Sequence, residues 1–445
     1  MRGRTQFTKF VWLMIALWAA LCSGCENVPA PASSSSNAIP VPPASPISAE
    51  AAASDGAIRF LEDRVKKDPD DFIALNKLAG YYQLRLRETG NLQWLALAKR
   101  TAEASLKAIP AEQNPGGLSL LAQAEFAEHD FAAARDHAER LIELDGRKAY
   151  PYQALGDALL ELGDYDGAEK AFREMEKRGR GSYANETRLG RMALLRGKEE
   201  QAKTHFTNAL LLALEMVPKQ RETVAWSRWQ LGELAFNTGN YVEAEKHYRD
   251  ALTTFPDYYR GLAGLARARA AQGDLKSAIE HYERATKILP DPIFIAALGD
   301  LYQLAGRRQE ADAQFALCEK LAALGAAGGN VYDRQLAIFY ADHDLKPEEA
   351  YKLAKQEYDA RQDVYGADAL AWAALKAGNM DEAQRFMKAA LRLGTQDARL
   401  FYHAGMIARA AGDKAAARDF LQRALKLNPQ FDPRQSPIAK QALAE

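Results

Sequence analysis

A self-similarity with a period of about 34 residues constrains this chain more than any other feature. Tyr152, Leu155, Gly156, Leu159, Ala168 and Phe172 recur one period later as Glu186, Leu189, Gly190, Ala193, Ala202 and Phe206. The same phase runs through Leu231, Gly232, Ala235, Ala244 and Tyr248, and again through Phe401, Gly405, Ala408, Ala417 and Leu421. Apolar residues at i, i+3, i+4 and i+7 mark one face of a helix. Between two such runs a glycine falls at a fixed register: Gly163, Gly197, Gly239, Gly273, Gly306, Gly378 and Gly412. Glycine takes up the left-handed conformation that ends a helix. Asp164, Asn240, Asp274, Asn379 or Asp413 follows it, a residue type that caps the next helix. Pro110, Pro256, Pro290 and Pro429 close second helices, where no further helical hydrogen bond is wanted. Each period therefore reads as an antiparallel helix pair, and one pair cannot bury its apolar face alone.

The pattern resembles the tetratricopeptide repeat, with large, apolar, small and aromatic positions in a first helix and Ala, aromatic, Ala and Pro in a second. The resemblance covers residues 71–430. It implies an all-α fold: a right-handed superhelical solenoid of about ten antiparallel helix-pair repeats, with a concave surface lined by first helices. The spacing from Glu186 to Arg228 exceeds one period by about two helical turns, which predicts a longer second helix around residues 209–217, or a longer loop there. The Gly- and Ala-rich residues 322–329 predict a second flexible joint. The array divides at the first irregularity into residues 58–217 and 218–430, followed by a tail, 431–445, with a capping helix at 438–443.

Ahead of the repeats, Arg2, Arg4 and Lys9 precede an apolar run over residues 10–21. That is the layout of an export signal, and the run falls short of the roughly 20 residues that span a bilayer. It ends in Leu21-Cys22-Ser23-Gly24-Cys25, which resembles the lipobox of bacterial lipoproteins although Cys22 stands where Leu is usual. The resemblance implies that residues 1–24 are removed, that the Cys25 thiol carries lipid, and that Glu26 directs the protein to the periplasmic face of the outer membrane. Ordinary secretion with cleavage near Gly24 is the other reading. Residues 25–57, rich in Pro, Ser and Ala, read as a disordered linker between lipid and array.

Motifs of catalysis are missing: the sequence has no His-Glu-x-x-His, Gly-x-Ser-x-Gly or Walker loop, and no Cys-x-x-Cys beyond Cys22-Ser23-Gly24-Cys25 at the end of the export signal. With three cysteines, and with Cys318 at a core position, no disulfide framework is possible. A formal net charge of -1 supplies no basic field for a phosphate backbone, so nucleic acid is not an expected partner. The expectation is a non-catalytic scaffold, without cofactor or metal, that binds a protein or peptide. The repeat family places the groove at set positions of each first helix. Here these give Tyr150, Arg191, Trp226, Trp229, Phe236, Arg260, Arg267, Tyr365, Trp372 and Tyr402. Trp, Tyr and Arg dominate binding hot spots. The tryptophans have a second reading, as packing between repeats. A groove whose aromatic rings stack on sugars, in a glycan- or peptidoglycan-binding envelope protein, is the alternative.

Overall fold

The computed structural model describes residues 46–217, 219–328 and 333–445. The lipid attachment expected at Cys25 and the export signal lie outside them. The described residues form helices and no strands. Helix α1 (Pro46–Lys67) starts inside the stretch expected to be linker and packs on the first repeat, burying Ile58 and Leu61. Ten helix pairs follow. The first five are α2 and α3 (Phe72–Thr89, Gln93–Ala108), α4 and α5 (Pro115–Ala127, Phe131–Asp145), α6 and α7 (Tyr150–Glu161, Tyr165–Gly179), α8 and α9 (Tyr183–Leu195, Glu199–Glu215), and α10 and α11 (Arg221–Asn237, Tyr241–Thr254). The second five are α12 and α13 (Tyr259–Ala271, Leu275–Ile288), α14 and α15 (Pro292–Leu304, Arg308–Gly328), α16 and α17 (Asp333–Asp342, Pro347–Ala360), α18 and α19 (Val364–Lys376, Met380–Ala390), and α20 and α21 (Ala398–Ala410, Lys414–Leu427). A last helix, α22 (Gln435–Ala444), covers the end of the stack.

Local chemistry sets these boundaries. All seven in-phase glycines have positive φ, between 66° and 85°. Asp164 then accepts a hydrogen bond from Gly167 N at 2.9 Å, and Asp274 and Asp413 cap α13 and α21 in the same way. Within a pair, the small residue of the first helix admits the aromatic residue of the second. A methyl group on Gly232 would lie 2.5 Å from the Tyr248 ring, so only glycine permits that approach. Tyr248, Phe172 and Phe206 are thereby almost fully buried, each contributing roughly 1.5–3 kcal/mol of apolar burial.

The lengthened spacing is met partly as expected. Helix α9 reaches 17 residues, but so does α10, which begins a turn earlier than the 13-residue first helices. That added turn is held because Val224 and Ala225 are buried, Ala225 against Phe255 and Tyr258. Residues 322–328, expected as a joint, continue α15 as helix. The tail helix is longer than expected, and residues 46–445 form one compact unit.

The solenoid also touches itself. The turn inside an early repeat meets the junction that follows the repeat five further on. Gly90 packs on Leu289, Gly163 on Gln362, Gly197 on Gly394 and Gly239 on Leu427. Hydrogen bonds and ion pairs join residues 187 to 200 apart along this line. Turns inside pairs all lie on one edge of the ribbon of helices and junctions between pairs on the other. Their meeting closes the ribbon into a tube with the first helices inside.

Candidate functional site

Some side chains on the inner side of the tube remain accessible to water and are nonetheless desolvated by the protein around them. Tyr365 is 39% exposed, yet burial, with Asp397 next, pushes its phenol well above the ordinary range. Burial raises the Asp397 carboxyl, which caps α20 through the amides of Arg399 and Leu400. Burial likewise raises Asp342, Asp291 and Glu222. Groups from distant repeats act on one another here: Arg191 of α8 and Asp397 of α20 both act on Tyr365 of α18, and Arg260 of α12 acts on Glu222 of α10 and Asp291 before α14.

The expected groove residues divide into two sets. Arg191, Arg260, Arg267 and Tyr365 are accessible in this interior. Arg191 pairs with Glu161, and Arg267 with Glu233, whose carboxylate also accepts from the Tyr248 hydroxyl at 2.7 Å. Arg260 differs. Its guanidinium lies 5.3 Å from the Trp229 ring centroid and 5.2 Å from that of Tyr259, and its Nε donates to the Tyr259 hydroxyl. Among the described residues no carboxylate forms an ion pair with it. It is exposed and lies over two rings, with no direct ion pair to give up before meeting an anion.

Of the other six, three are buried away from the groove and three are half-buried. Phe236, Trp372 and Tyr402 are each 2% exposed. Trp372 stacks on His403 at 4.4 Å and donates its indole N–H to Asp342 at 2.8 Å, so it packs between repeats. Trp226 meets Tyr183 and Phe206 edge-on and is half-buried, as is Trp229. Tyr150 is half-buried, with its hydroxyl on Asp145. The cause is common to all: first helices touch both neighbouring repeats as well as the lumen, and large rings go where they bury most area.

Sequence reasoning missed a buried ionic cluster. Glu161 is 2% exposed and holds Arg191 and Arg361, and Arg361 continues to Asp363, which pairs with Arg334, which reaches Glu357. Burial acts to raise the Glu161 carboxyl, but Arg191 and Arg361 outweigh it and hold the group well below the ordinary range. Its members come from repeats three, four and eight and the junction after repeat eight, so no spacing in the sequence could announce it. Cys318 is buried as expected, its thiol pushed up to about 12 by burial and by Asp300. A depression of about 490 Å³ on the outside is lined by α17 alone, from Glu348 to Asp359, and is a surface dent. Among the described residues, no group of three or more His, Cys, Asp or Glu side chains is placed to hold a metal ion.

Comparison with known proteins identifies the repeats. The tetratricopeptide repeat profile matches residues 119–185, 154–210, 230–291 and 369–430. The chain carries tetratricopeptide repeats. No curated protein matches it significantly. Similar solved structures include PilW, a type IV pilus biogenesis factor, at 17% identity over 46% of this chain and 91% of that one, with a TM-score of 0.40. A tetratricopeptide protein of Thermus thermophilus is 20% identical over 48% of this chain and 98% of that one, at 0.36. The human IFIT1 dimer with PPP-AAAA is 14% identical over 84% and 95%, at 0.45. These likenesses are of fold.

Proposed function

We propose that this protein is a non-catalytic scaffold that holds a segment of another protein within the tube. The export signal carries it to the bacterial envelope, and lipid on Cys25 tethers it at the periplasmic face of the outer membrane, where it assists assembly of an envelope complex. The observation that carries the binding reading is Arg260, an accessible guanidinium over Trp229 and Tyr259 that makes no direct ion pair, with Glu222 and Asp291 acting on it only at longer range. A charged group held this way meets an acidic side chain of a partner without first giving up an internal ion pair. The glycan reading requires flat exposed rings, and Trp372 and Tyr402 are buried between repeats.

Crosslinking in intact cells followed by capture of the full chain tests the proposal. Arg260→Glu is expected to lower the yield of crosslinked partner about tenfold while helix content stays unchanged. Equal yields from the variant and the native chain would overturn the role of Arg260. Cys25→Ala is expected to move the protein from the membrane pellet to the soluble fraction, and its retention in the pellet would overturn the lipid tether.

A further inference from the structure

Five early turns are placed to meet the later half of the array, and the sequence treats them differently from the five late ones. Three early second helices open on an aromatic residue: Phe131 in α5, Tyr165 in α7 and Tyr241 in α11. At the same place the late second helices open on Leu275, Arg308, Pro347, Met380 and Lys414. Each aromatic faces the other turn of the superhelix. The Tyr165 hydroxyl accepts the Val364 amide at 2.8 Å, and the Arg392 guanidinium lies 5.0 Å from its ring centroid. Tyr241 donates to Asn428 Oδ1 at 2.6 Å and accepts the Gln430 amide at 3.0 Å, while Asn428 Nδ2 donates to the Phe236 carbonyl at 2.7 Å. Arg361 lies 5.7 Å from the Phe131 ring centroid. Between these, Thr395 donates to the Leu195 carbonyl at 2.6 Å. The late turns Gly273, Gly306, Gly378 and Gly412 have open space where a side chain would begin. The contact line is thus written into the early repeats.

Its chemistry differs from that of the stack. Neighbouring repeats share continuous apolar cores, for example Tyr248 with Leu265 and Ala268. The line between superhelical turns has one apolar patch, where Val364 and Leu393 pack with Tyr165 and Leu195, and is otherwise side-chain bonds to backbone groups and ion pairs such as Arg361 with Glu161. Such bonds are individually modest in net worth, because water replaces them when they part. The tube wall is thus less apolar than the interfaces within the stack, and parting there leaves every helix pair intact. Lumen and wall also share a carboxylate: Glu161 holds Arg191 on the inner side and Arg361 across the line, and Tyr365 of the lumen follows Val364 of the wall.

We propose that this line is a gate: the two superhelical turns part along it as intact bodies, and a polypeptide partner enters the lumen sideways through the opening. The partner's presence rests on the function proposed above; the parting of the wall does not. Hydrogen exchange on the full chain, with no partner added, tests the gate. The Val364 amide stands at the first position of α18, where no intrahelical acceptor exists, so its protection reports the contact with Tyr165 alone. Val364 and Gln430 are expected to exchange with one common opening rate, well ahead of amides in the middle of α6 and α18. Arg361→Glu, which sets two carboxylates together, is expected to speed both by about tenfold, to lengthen the maximum dimension in small-angle scattering, and to spare the helix interiors. Arg361→Lys should recover part of the protection.

Exchange of Val364 and Gln430 in the native chain only at the rate of the helix interiors would overturn the gate. So would an Arg361→Glu effect confined to Val364. A chain that opens as described but captures no partner would sink the function reading and leave the gate standing.

Discussion

Gly163 and Gly412 occupy the same register with nearly the same backbone, φ 78° and 82°, but they meet different surroundings. A methyl group on Gly412 would point into open space, whereas on Gly163 it would collide with the Gln362 carbonyl across the tube wall. Gly412→Ala is expected to cost about 1–2 kcal/mol, the penalty of a left-handed L residue. Gly163→Ala should cost roughly 3 kcal/mol or more, since the clash adds to that penalty. Urea titration of both variants measures the difference. Glu161 gives a second prediction at this scale. It is faced by Arg191 from α8 and by Arg361 and Asp363 from the α17–α18 junction, and it in turn acts on His129 from the α4–α5 turn. Its carboxyl titrates lower folded than unfolded, so the stability it confers is present above the unfolded value of roughly 4.3 and drains away as pH falls towards the native one. Glu161→Gln is expected to flatten that part of the pH profile, read from urea midpoints between pH 5 and 2.

At the scale of the element, tryptophan position separates what a helix shows to a ligand from what it gives its neighbours. Trp226 lies against Tyr183 and Phe206. Trp226→Ala is therefore expected to lower stability by about 3 kcal/mol, measured by denaturant unfolding. A loss below about 0.5 kcal/mol, the range of surface substitutions, would return Trp226 to the lumen surface. The helices themselves, their glycine stops and their aspartate caps were legible in the chain, because a 3.6-residue period and a left-handed turn are decided within a dozen residues. The division of first-helix aromatics between lumen and core was not. Both faces demand large residues, and only the neighbouring repeat's surface says which way a ring turns. Helix α10 shows the same limit, since its added turn depends on Phe255 and Tyr258.

For the whole molecule, the closed wall changes how the array melts. An open solenoid behaves as a one-dimensional row in which ends fray and blocks unfold separately. Here repeats one to five are bonded to repeats six to ten, so a single cooperative transition is expected in calorimetry. Arg361→Glu should broaden it or split it into two. A native chain that already melts in two steps would show that the wall contributes little.

By itself, the sequence determined a stack of about ten helix pairs, the place where most helices end, and the absence of a catalytic motif. Those properties follow from interactions between residues one or two turns apart, repeated until the period becomes unmistakable. Tertiary structure alone decided that the ribbon of helices closes on itself, that Glu161 and Arg361 meet across 200 residues, and that Arg260 is left without a direct ion pair. The small rotation between successive repeats fixes all three. It accumulates over five repeats before one edge meets the other, and no single period contains it.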